Sequence, residues 1–410
     1  AFEIWTDWLA SVAAKSRKFE LANLSLSARY ALRGRLGNGL EAAIENCVAV
    51  LRAFDERHDE SRQVLASSVV VPDNYIDLLR VIGVYPLTAI PVILGLERWK
   101  GKNLPSFQSP PSALKMHGTA QRFVPAAEAP PLHPEAITDL LRQQSDNPLN
   151  VPRPTKTELN NLAAAFAPVF EIDVVGEYDR IGAPTLLPDG VPRIDTQIPS
   201  AYVQSSWAMF DGVPVLQISY LVWFSQRPPM SAMDILSGHI DGLIWRVTIG
   251  RHGRPLLYDS IHACGCYHLF FPVPPTRLKE HPIDDPGEGT MVPVHAPELA
   301  PNQRMVLHVR SGDHYLRGIS VTTVDASGSS NYELVPMDRL RSLPSIKGRR
   351  QSLYDEQGIV TGTDRGERFL LWPMGIFRPG AMRQWGTHAT AFVGRRHFDD
   401  PYLIENTFTQ

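Results

Sequence analysis

Apolar positions in the first hundred residues recur three to four places apart, which is the period of an α-helix. One such face runs from Leu36 to Leu51, with Arg and Glu on the other side of the helix. Asp73 is placed to cap a further helix, Tyr75 to Val84, that ends before Pro86. We therefore predict a helical region over residues 1–104.

After residue 156 the pattern changes to that of β-strands. Ala201 to Phe210 and Val213 to Phe224 are rich in β-branched and aromatic residues, and Asp211-Gly212 between them is a strong hairpin signal. Val213 to Phe224 is apolar on both faces, which is typical of a central strand. The tail from Phe369 to His397 lacks a period and predicts an irregular, buried wrap. The predicted fold class is α+β: a helical N-terminal region followed by a mainly antiparallel β domain over residues 156–410.

Ten prolines punctuate the segment between these regions, from Pro105 to Pro154. Such a composition favours a linker or a long strap over the surface, so we place a domain boundary at residues 105–155. An ordered strap within a single body remains the alternative.

A β-hairpin is predicted where Leu243–Ile249 and Leu256–Ile261 flank the glycine-bracketed turn at 250–253. A four-residue loop would make Trp245 and Tyr258 cross-strand neighbours. Opposed residues, and residues two apart on one strand, share a face of the sheet. A register slip of one residue would reverse one strand's face.

The same register brings chemically reactive side chains together at the open end of the hairpin. Asp241 would face His262, and His239 would face Cys264. Two imidazoles, a carboxylate and a thiolate are ligands that suit zinc, and the His/Asp/His set also suits non-haem iron. His239, Asp241, His262 and Cys264 are therefore the predicted metal ligands, with zinc or iron as the predicted ion. The alternative is that Asp241 takes part in a turn with Gly242 and that His239 is an ordinary polar residue.

A second pattern overlaps the first in His262-x-Cys264-Gly265-Cys266-x-His268. One ion could not take all of these residues from a straight strand, but Gly265 could kink the chain and draw the thiols together. Cys264 and His268 are the predicted catalytic residues. Three interpretations stay open: a metal site, a thiol nucleophile at Cys264, and a disulfide or structural role for Cys264 and Cys266.

Histidines elsewhere in the chain could add a distant ligand or a general base. One group is His308, Asp313 and His314, and another is His388 and His397. Each of these is more often a satisfied core or surface histidine.

Composition excludes some classes of partner. The chain has 410 residues and a net charge of −3, which gives no attraction to nucleic acid, and none is expected as a partner. The apolar run Val81–Leu96 holds two prolines and is short for a membrane span, so it predicts a packed segment or, alternatively, contact with a membrane surface. Phosphate loops, nucleophile-elbow serines and dinucleotide fingerprints are absent from the sequence.

Three phrases resemble a known group of sequences: FAPVFEI with YDRIGAP, YDSIHACGCYH, and WPMGIFRPGAMRQWGTHATAFVGRRHFDDP. Together they are similar to an uncharacterised group of bacterial cell-envelope proteins, over most of residues 165–400. The resemblance brings no activity or site assignments, and implies export to the envelope or periplasm, with the cytoplasm left open.

The function predicted from these patterns is a metal-dependent enzyme that acts on a small-molecule or peptide substrate, with hydrolysis slightly ahead of oxidation. Two alternatives remain: a cell-envelope binding or scaffold protein with a structural metal or disulfide, and a cysteine-dependent hydrolase.

Overall fold

The computed structural model describes residues 1–37, 39–69, 73–127, 131–280, 288–323, 328–345 and 348–410. Its N-terminal region is helical and is followed by a large, mostly antiparallel sheet, so the predicted α+β class is confirmed. The helices of this first region are α1 (Phe2–Asn23), α2 (Leu26–Leu36), α3 (Leu40–Asp55), α4 (Asp59–Ser68), α5 (Asp77–Ile82) and α6 (Tyr85–Asn103).

The first four helices bury little of their apolar surface. Among their described residues only Thr6 of α1 and Leu40 of α3 are buried. Helix α6 is better anchored, because Ala89 packs with Met374 and Val393 of the C-terminal tail. No helix within the described residues is both long and apolar enough to cross a membrane.

The proline-rich segment is part of the β body. It contains β1 (Thr119–Pro125), which pairs with β2 (Val169–Val174) on one side and with β13 (Ser330–Pro336) on the other. The expectation of a linker is wrong for this strand, and the alternative of an ordered strap describes it better. The prediction failed because the strand gives a weak signal: its sequence TAQRFVP is half polar, and only Phe123, Val124 and Pro125 are buried.

Within the described residues, β1, β2 and β13 join nine further strands in one sheet: β3 (Ile181–Leu186), β4 (Pro192–Asp195), β5 (Ser200–Phe210), β6 (Val213–Arg227), β7 (Gly238–Ile249), β8 (Pro255–His262), β9 (Leu269–Pro272), β11 (Gln303–Val309) and β12 (Leu316–Thr323). The order is β12-β11-β2-β1-β13-β5-β6-β7-β8-β9, with β3 pairing β4 and β6. Strands β5 to β9 form an antiparallel meander, and β6 lies between β5 and β7 as predicted for a central strand.

The meander is covered on both faces, which explains why its strands read as continuous apolar runs. Side chains such as Tyr220 and Trp245 pack under helices α7 and α8, whereas Trp223, Ile244 and Phe398 belong to a second core formed with the irregular C-terminal tail. The elements not yet given are α7 (Pro134–Gln144), α8 (Lys156–Phe166), β10 (Arg277–Leu278), β14 (Leu343–Pro344), β15 (Arg350–Gln351), α9 (Arg368–Leu371), α10 (Leu403–Thr407) and β16 (Phe408–Thr409).

Candidate functional site

The β7–β8 hairpin exists, but its register differs by two positions from the predicted one. Trp245 faces Ser260 and Val247 faces Tyr258, because a bulge between Thr248 and Ile249 and a longer loop add residues to the turn. A shift of two preserves the faces of both strands. Trp245 and Tyr258 are therefore diagonal neighbours on one face, with stacked rings whose centroids lie 5.2 Å apart.

Asp241 lies at the centre of a buried cluster at the open end of this hairpin. The Nδ1 atom of His262 is 3.6 Å from its Oδ1, and Nδ1 of His314 donates to its Oδ2 at 2.8 Å. Arg365 donates to Oδ1 at 3.1 Å. All four side chains are buried, so the carboxylate has three basic neighbours and little contact with water.

His314 reaches Asp241 from the loop before β12, and Asp179 holds that loop in place. The Asp179 carboxylate accepts a hydrogen bond from the Gly312 amide at 2.7 Å and one from the Ser311 hydroxyl at 2.8 Å. Its Oδ1 also lies 3.4 Å from Nε2 of His314. The imidazole stacks on Phe224 of β6 with a centroid distance of 3.9 Å. The His314 imidazole therefore lies between two buried carboxylates, Asp179 and Asp241.

Three residues without glycine's freedom adopt left-handed backbone angles next to this cluster. They are Ile240 (φ 55°), Tyr267 (φ 61°) and His314 (φ 53°). Such conformations cost free energy and concentrate at functional sites in proteins. Their grouping around Asp241 supports a functional role for the cluster.

The charges of the cluster follow from burial and from its ion pairs. Burial by itself would raise the pKa of Asp241, but the charge of Arg365 and the contacts of His262 and His314 outweigh it and hold that pKa well below its usual range. Burial lowers the pKa of His262, although Asp241 partly opposes this. Burial also disfavours charge on His314, but contact with Asp179 and Asp241 raises its pKa overall. Near neutral pH the cluster therefore holds an ionised Asp241 and a neutral His262.

The other side of His262 faces an aromatic cluster. Its ring meets Tyr267 and Tyr315 edge to face, with centroid distances of 5.4 and 5.3 Å. Trp99 of α6 stacks on Tyr267 at 4.6 Å, and both of these rings are partly exposed to solvent. Arg227 donates to the Tyr315 hydroxyl at 3.3 Å.

Three buried polar atoms in this aromatic cluster lack hydrogen-bond partners among the described residues: Nε1 of Trp99, Nε2 of His262 and Nε of Arg227. The side chains of His262 and Arg227 are themselves buried. Buried polar groups are normally satisfied, so unpaired ones require an explanation. Both side chains lie against the Tyr315 ring: the His262 ring centroid is 5.3 Å from its centroid and the Arg227 guanidinium carbon is 5.1 Å from it.

Two of the predicted site residues lie elsewhere. His239 is exposed, and its Nε2 is 2.6 Å from the Pro192 carbonyl, because the left-handed Ile240 breaks the strand's alternation before Asp241. His268 lies on the opposite face of the hairpin, where its Nε2 is 2.8 Å from Asp259. Neither histidine therefore joins Asp241 and His262, although His239 was a predicted metal ligand and His268 a predicted catalytic residue.

The cysteines depart from the predicted row for another reason. Strand β8 ends at His262, and Gly265 (φ 94°) turns the chain back so that β9 pairs with β8. This places Cys264 and Cys266 in the core under the C-terminal tail, as free thiols. Interaction between the two thiols lowers the pKa of Cys264, while it and burial raise the pKa of Cys266. The kink that the sequence allowed at Gly265 is present.

The described residues contain no group of three or more His, Cys, Asp or Glu side chains arranged to hold a metal ion. With His239 turned away, the four predicted ligands are not gathered around one point. Asp241 and His262 are the members that the structure does bring together.

A surface cavity of about 270 Å³ lies at the other end of the hairpin. Its walls include His252 and Gly253 of the turn, together with Phe166 and Leu299. Nine residues of strand separate Asp241 from this turn, which corresponds to about 30 Å. The cavity is therefore distinct from the Asp241 cluster.

Of the residues around Asp241, His314 was singled out in the sequence as a possible distant ligand or base. Arg365, Arg227 and Trp99 were not singled out, and Asp179 appeared only within the phrase YDRIGAP. No local spacing could have found Arg365, because it lies 124 positions from Asp241. Burial of a charged side chain is visible only in the folded chain.

Comparisons with known proteins add no relative. No family model, no curated protein and no solved structure matches this chain.

Proposed function

We propose that the chain is a hydrolase in which His262 acts as general base, oriented by Asp241. The observation that supports it most directly is the free Nε2 of His262, buried against Tyr267 and Tyr315 while the opposite ring nitrogen faces an ionised carboxylate. A neutral imidazole whose Nδ1 proton points to a carboxylate presents its Nε2 lone pair to a proton donor.

The chemistry that fits this arrangement is activation of water. His262 would take a proton from a water molecule as that water attacks an electrophilic carbon or phosphorus. Arg227, with one N–H unpaired and another on the Tyr315 hydroxyl, would stabilise the negative charge that develops. The substrate is therefore proposed to be a small molecule that carries an ester or phosphoester near an anionic group, and Trp99 and Tyr267 would form its partly exposed entrance.

The test is hydrolysis of 4-nitrophenyl acetate and 4-nitrophenyl phosphate by purified protein. We expect His262→Gln to lower kcat by about 10²–10⁴-fold, the usual contribution of a general base. The matched control is His252→Gln in the exposed hairpin turn, which should leave the rate unchanged. Wild-type protein that hydrolyses neither ester, or equal rates for the His262→Gln variant, would count against the proposal.

The metal-dependent version of this proposal differs in one measurable way. If Asp241 and His262 bind zinc or iron with ligands other than His239, elemental analysis of the purified protein should find one ion per chain, and His262→Gln should remove it. In the metal-free version, the chelator-treated protein keeps its full rate.

A binding or scaffold protein is the second candidate function, and the deep burial of the Asp241 cluster favours it. Asp241 and His314 have no measurable exposure and Arg365 is 4% exposed, as in a network that specifies the fold. In that case His262→Gln would lower the free energy of unfolding, and the wild-type protein would show no hydrolysis.

We also propose that the protein acts at a membrane surface, in the bacterial cell envelope or periplasm. Helix α6 exposes Leu87, Ile90 and Leu94 on one face, with exposed fractions of 66%, 53% and 65%. Exposed Arg98 and Lys102 follow, as in helices that lie on anionic lipid. Co-sedimentation with phosphatidylglycerol vesicles should decrease for Leu87→Glu/Leu94→Glu and remain unchanged for Leu51→Glu of α3, whose side chain is also exposed.

A further inference from the structure

Cys264 and Cys266 form a pair whose chemistry the proposed hydrolase does not use. They flank Gly265 in the turn between β8 and β9, where the Gly265 amide donates to the His262 carbonyl at 2.8 Å. Residues two apart in an extended chain span at most about 7 Å, and a turn shortens that distance. The pair therefore falls in the range of Cα separations, about 4.4–6.8 Å, over which a disulfide closes.

The two thiols lie in the same buried cluster. Both are free, each is 7% exposed, and both belong to the core under the C-terminal tail. The third cysteine, Cys47, is exposed on α3 and belongs to a different part of the chain. A disulfide at the turn would therefore require no rearrangement that brings distant segments together.

The surroundings favour a reactive sulfur at Cys264. Arg383 donates its Nε proton to the Cys264 carbonyl at 3.2 Å, and its charge and that of Arg365 act on the Cys264 thiol. Nearby cations stabilise a thiolate, which is the form that attacks a disulfide. Cys266, on the other side of Gly265 in the same turn, is then the resolving thiol.

We propose that Cys264 and Cys266 are a reversible dithiol–disulfide site for small-molecule disulfides. The Cys264 thiolate attacks one sulfur of the disulfide, which releases one thiol and leaves a mixed disulfide on Cys264. Cys266 loses its proton and attacks the Cys264 sulfur, which releases the second thiol. The protein loses two electrons and two protons, and the small disulfide gains both as two thiols.

The experiment is equilibration of the full chain, carrying Cys47→Ser, in buffers of reduced and oxidised glutathione. After acid quenching and alkylation, mass spectrometry should find a population lighter by two hydrogens, with residues 264 and 266 in one disulfide-linked peptide. Reduced glutathione should reverse it. A pair that stays reduced at every ratio, or a stable mixed disulfide on Cys264 that never closes, would overturn the proposal.

Two single variants locate the roles of the sulfurs. In the same background, Cys266→Ser should accumulate the mixed disulfide at Cys264, whereas Cys264→Ser should react at least tenfold more slowly at Cys266. Circular dichroism spectra that match the parent establish that each variant is folded. If Cys264→Ser does not fold, Cys264→Ala provides the same comparison. Equal reactivity of the two single variants would remove the assigned order of attack.

Discussion

Each buried aspartate of the hairpin is shared between an arginine and a histidine. Asp241 has Arg365 with His262 and His314, and Asp259 on the opposite face has Arg246 at 2.6 Å and His268 at 2.8 Å. A buried charge is tolerated only when it is paired, because leaving water costs several kcal/mol per ion. At both positions a guanidinium pairs with the carboxylate, and burial lowers the pKa of one imidazole, His262 at Asp241 and His268 at Asp259.

The Arg246–Asp259 pair allows a direct measurement of this cost. Arg246→Met should lower the free energy of unfolding by about 3–5 kcal/mol, because it leaves a buried carboxylate without its cation. Urea denaturation measures the change. The double variant Arg246→Met/Asp259→Asn removes both charges, so it should recover a large part of the loss. If the double variant is less stable by the sum of both single losses, the two charges are not coupled.

At the residue scale, the sequence predicted a meeting of Asp241 and His262 because alternation along strands depends only on parity. It could not place His239, because Ile240, between His239 and Asp241, adopts a left-handed backbone conformation that interrupts the alternation of the strand. It could not place His268, because the chain reverses at Gly265 before reaching it. Local backbone breaks, rather than the strand pattern, determined which site predictions failed.

At the element scale, the turn after β8 depends on Gly265. A Cβ at this position would lie 2.5 Å from the Ala389 carbonyl oxygen, and the φ of 94° is unfavourable for other residues. Gly265→Ala should therefore lower the free energy of unfolding by at least about 2 kcal/mol. Gly362→Ala is the matched control, because its φ is 80° and a Cβ there would have no described atom within 4 Å. If thermal or urea denaturation finds equal losses of stability for Gly265→Ala and Gly362→Ala, the contact with Ala389 does not destabilise the variant.

In strand β1 the sequence suggests exposure and the structure shows burial. In helices α1 to α4 the sequence predicts an apolar face, and the structure leaves much of it exposed. The proline-rich flanks of β1 suggested an exposed connection, yet the strand is paired on both sides and Phe123 and Val124 are buried. The helices have a clear apolar period, yet Val50, Leu51 and Phe54 of α3 are exposed. Periodicity predicts that an element exists, but tertiary contacts decide whether its apolar face is covered.

Limited proteolysis should therefore cut first within residues 1–69 and spare Thr119–Pro125. Few buried contacts permit local opening of the helices, whereas a strand inside the sheet opens only when the sheet unfolds. Mass spectrometry of early trypsin fragments identifies the sites, and Arg122 inside β1 supplies an internal control because trypsin could cut there. Early cleavage at Arg122, before cleavage in the helices, would contradict this order of stability.

At the scale of the whole molecule, histidines buried on the two faces of the sheet contribute to how the free energy of unfolding depends on pH. Burial lowers the pKa of His268 to about 4 and that of His388 to about 3. In the unfolded chain both titrate near about 6.5. Below that pH the unfolded state binds more protons than the folded state, so these two histidines make stability fall as pH falls. His314 acts in the opposite sense, because its raised pKa gives stability that is lost as pH rises through that value.

The contribution of one histidine can be isolated by difference. As the pH falls from 6 to 5, each histidine that stays neutral in the folded state should lower the free energy of unfolding by about 1.2 kcal/mol. Burial raises the pKa of Glu288 and Glu367, which opposes this trend in the whole protein. Urea denaturation at several pH values should therefore compare the wild type with His388→Gln, whose loss over this interval should be smaller by about 1.2 kcal/mol. The exposed His252→Gln should keep the wild-type slope. If His388→Gln also keeps the wild-type slope, His388 is protonated in the folded state, and the core under the C-terminal tail contains a charged imidazolium.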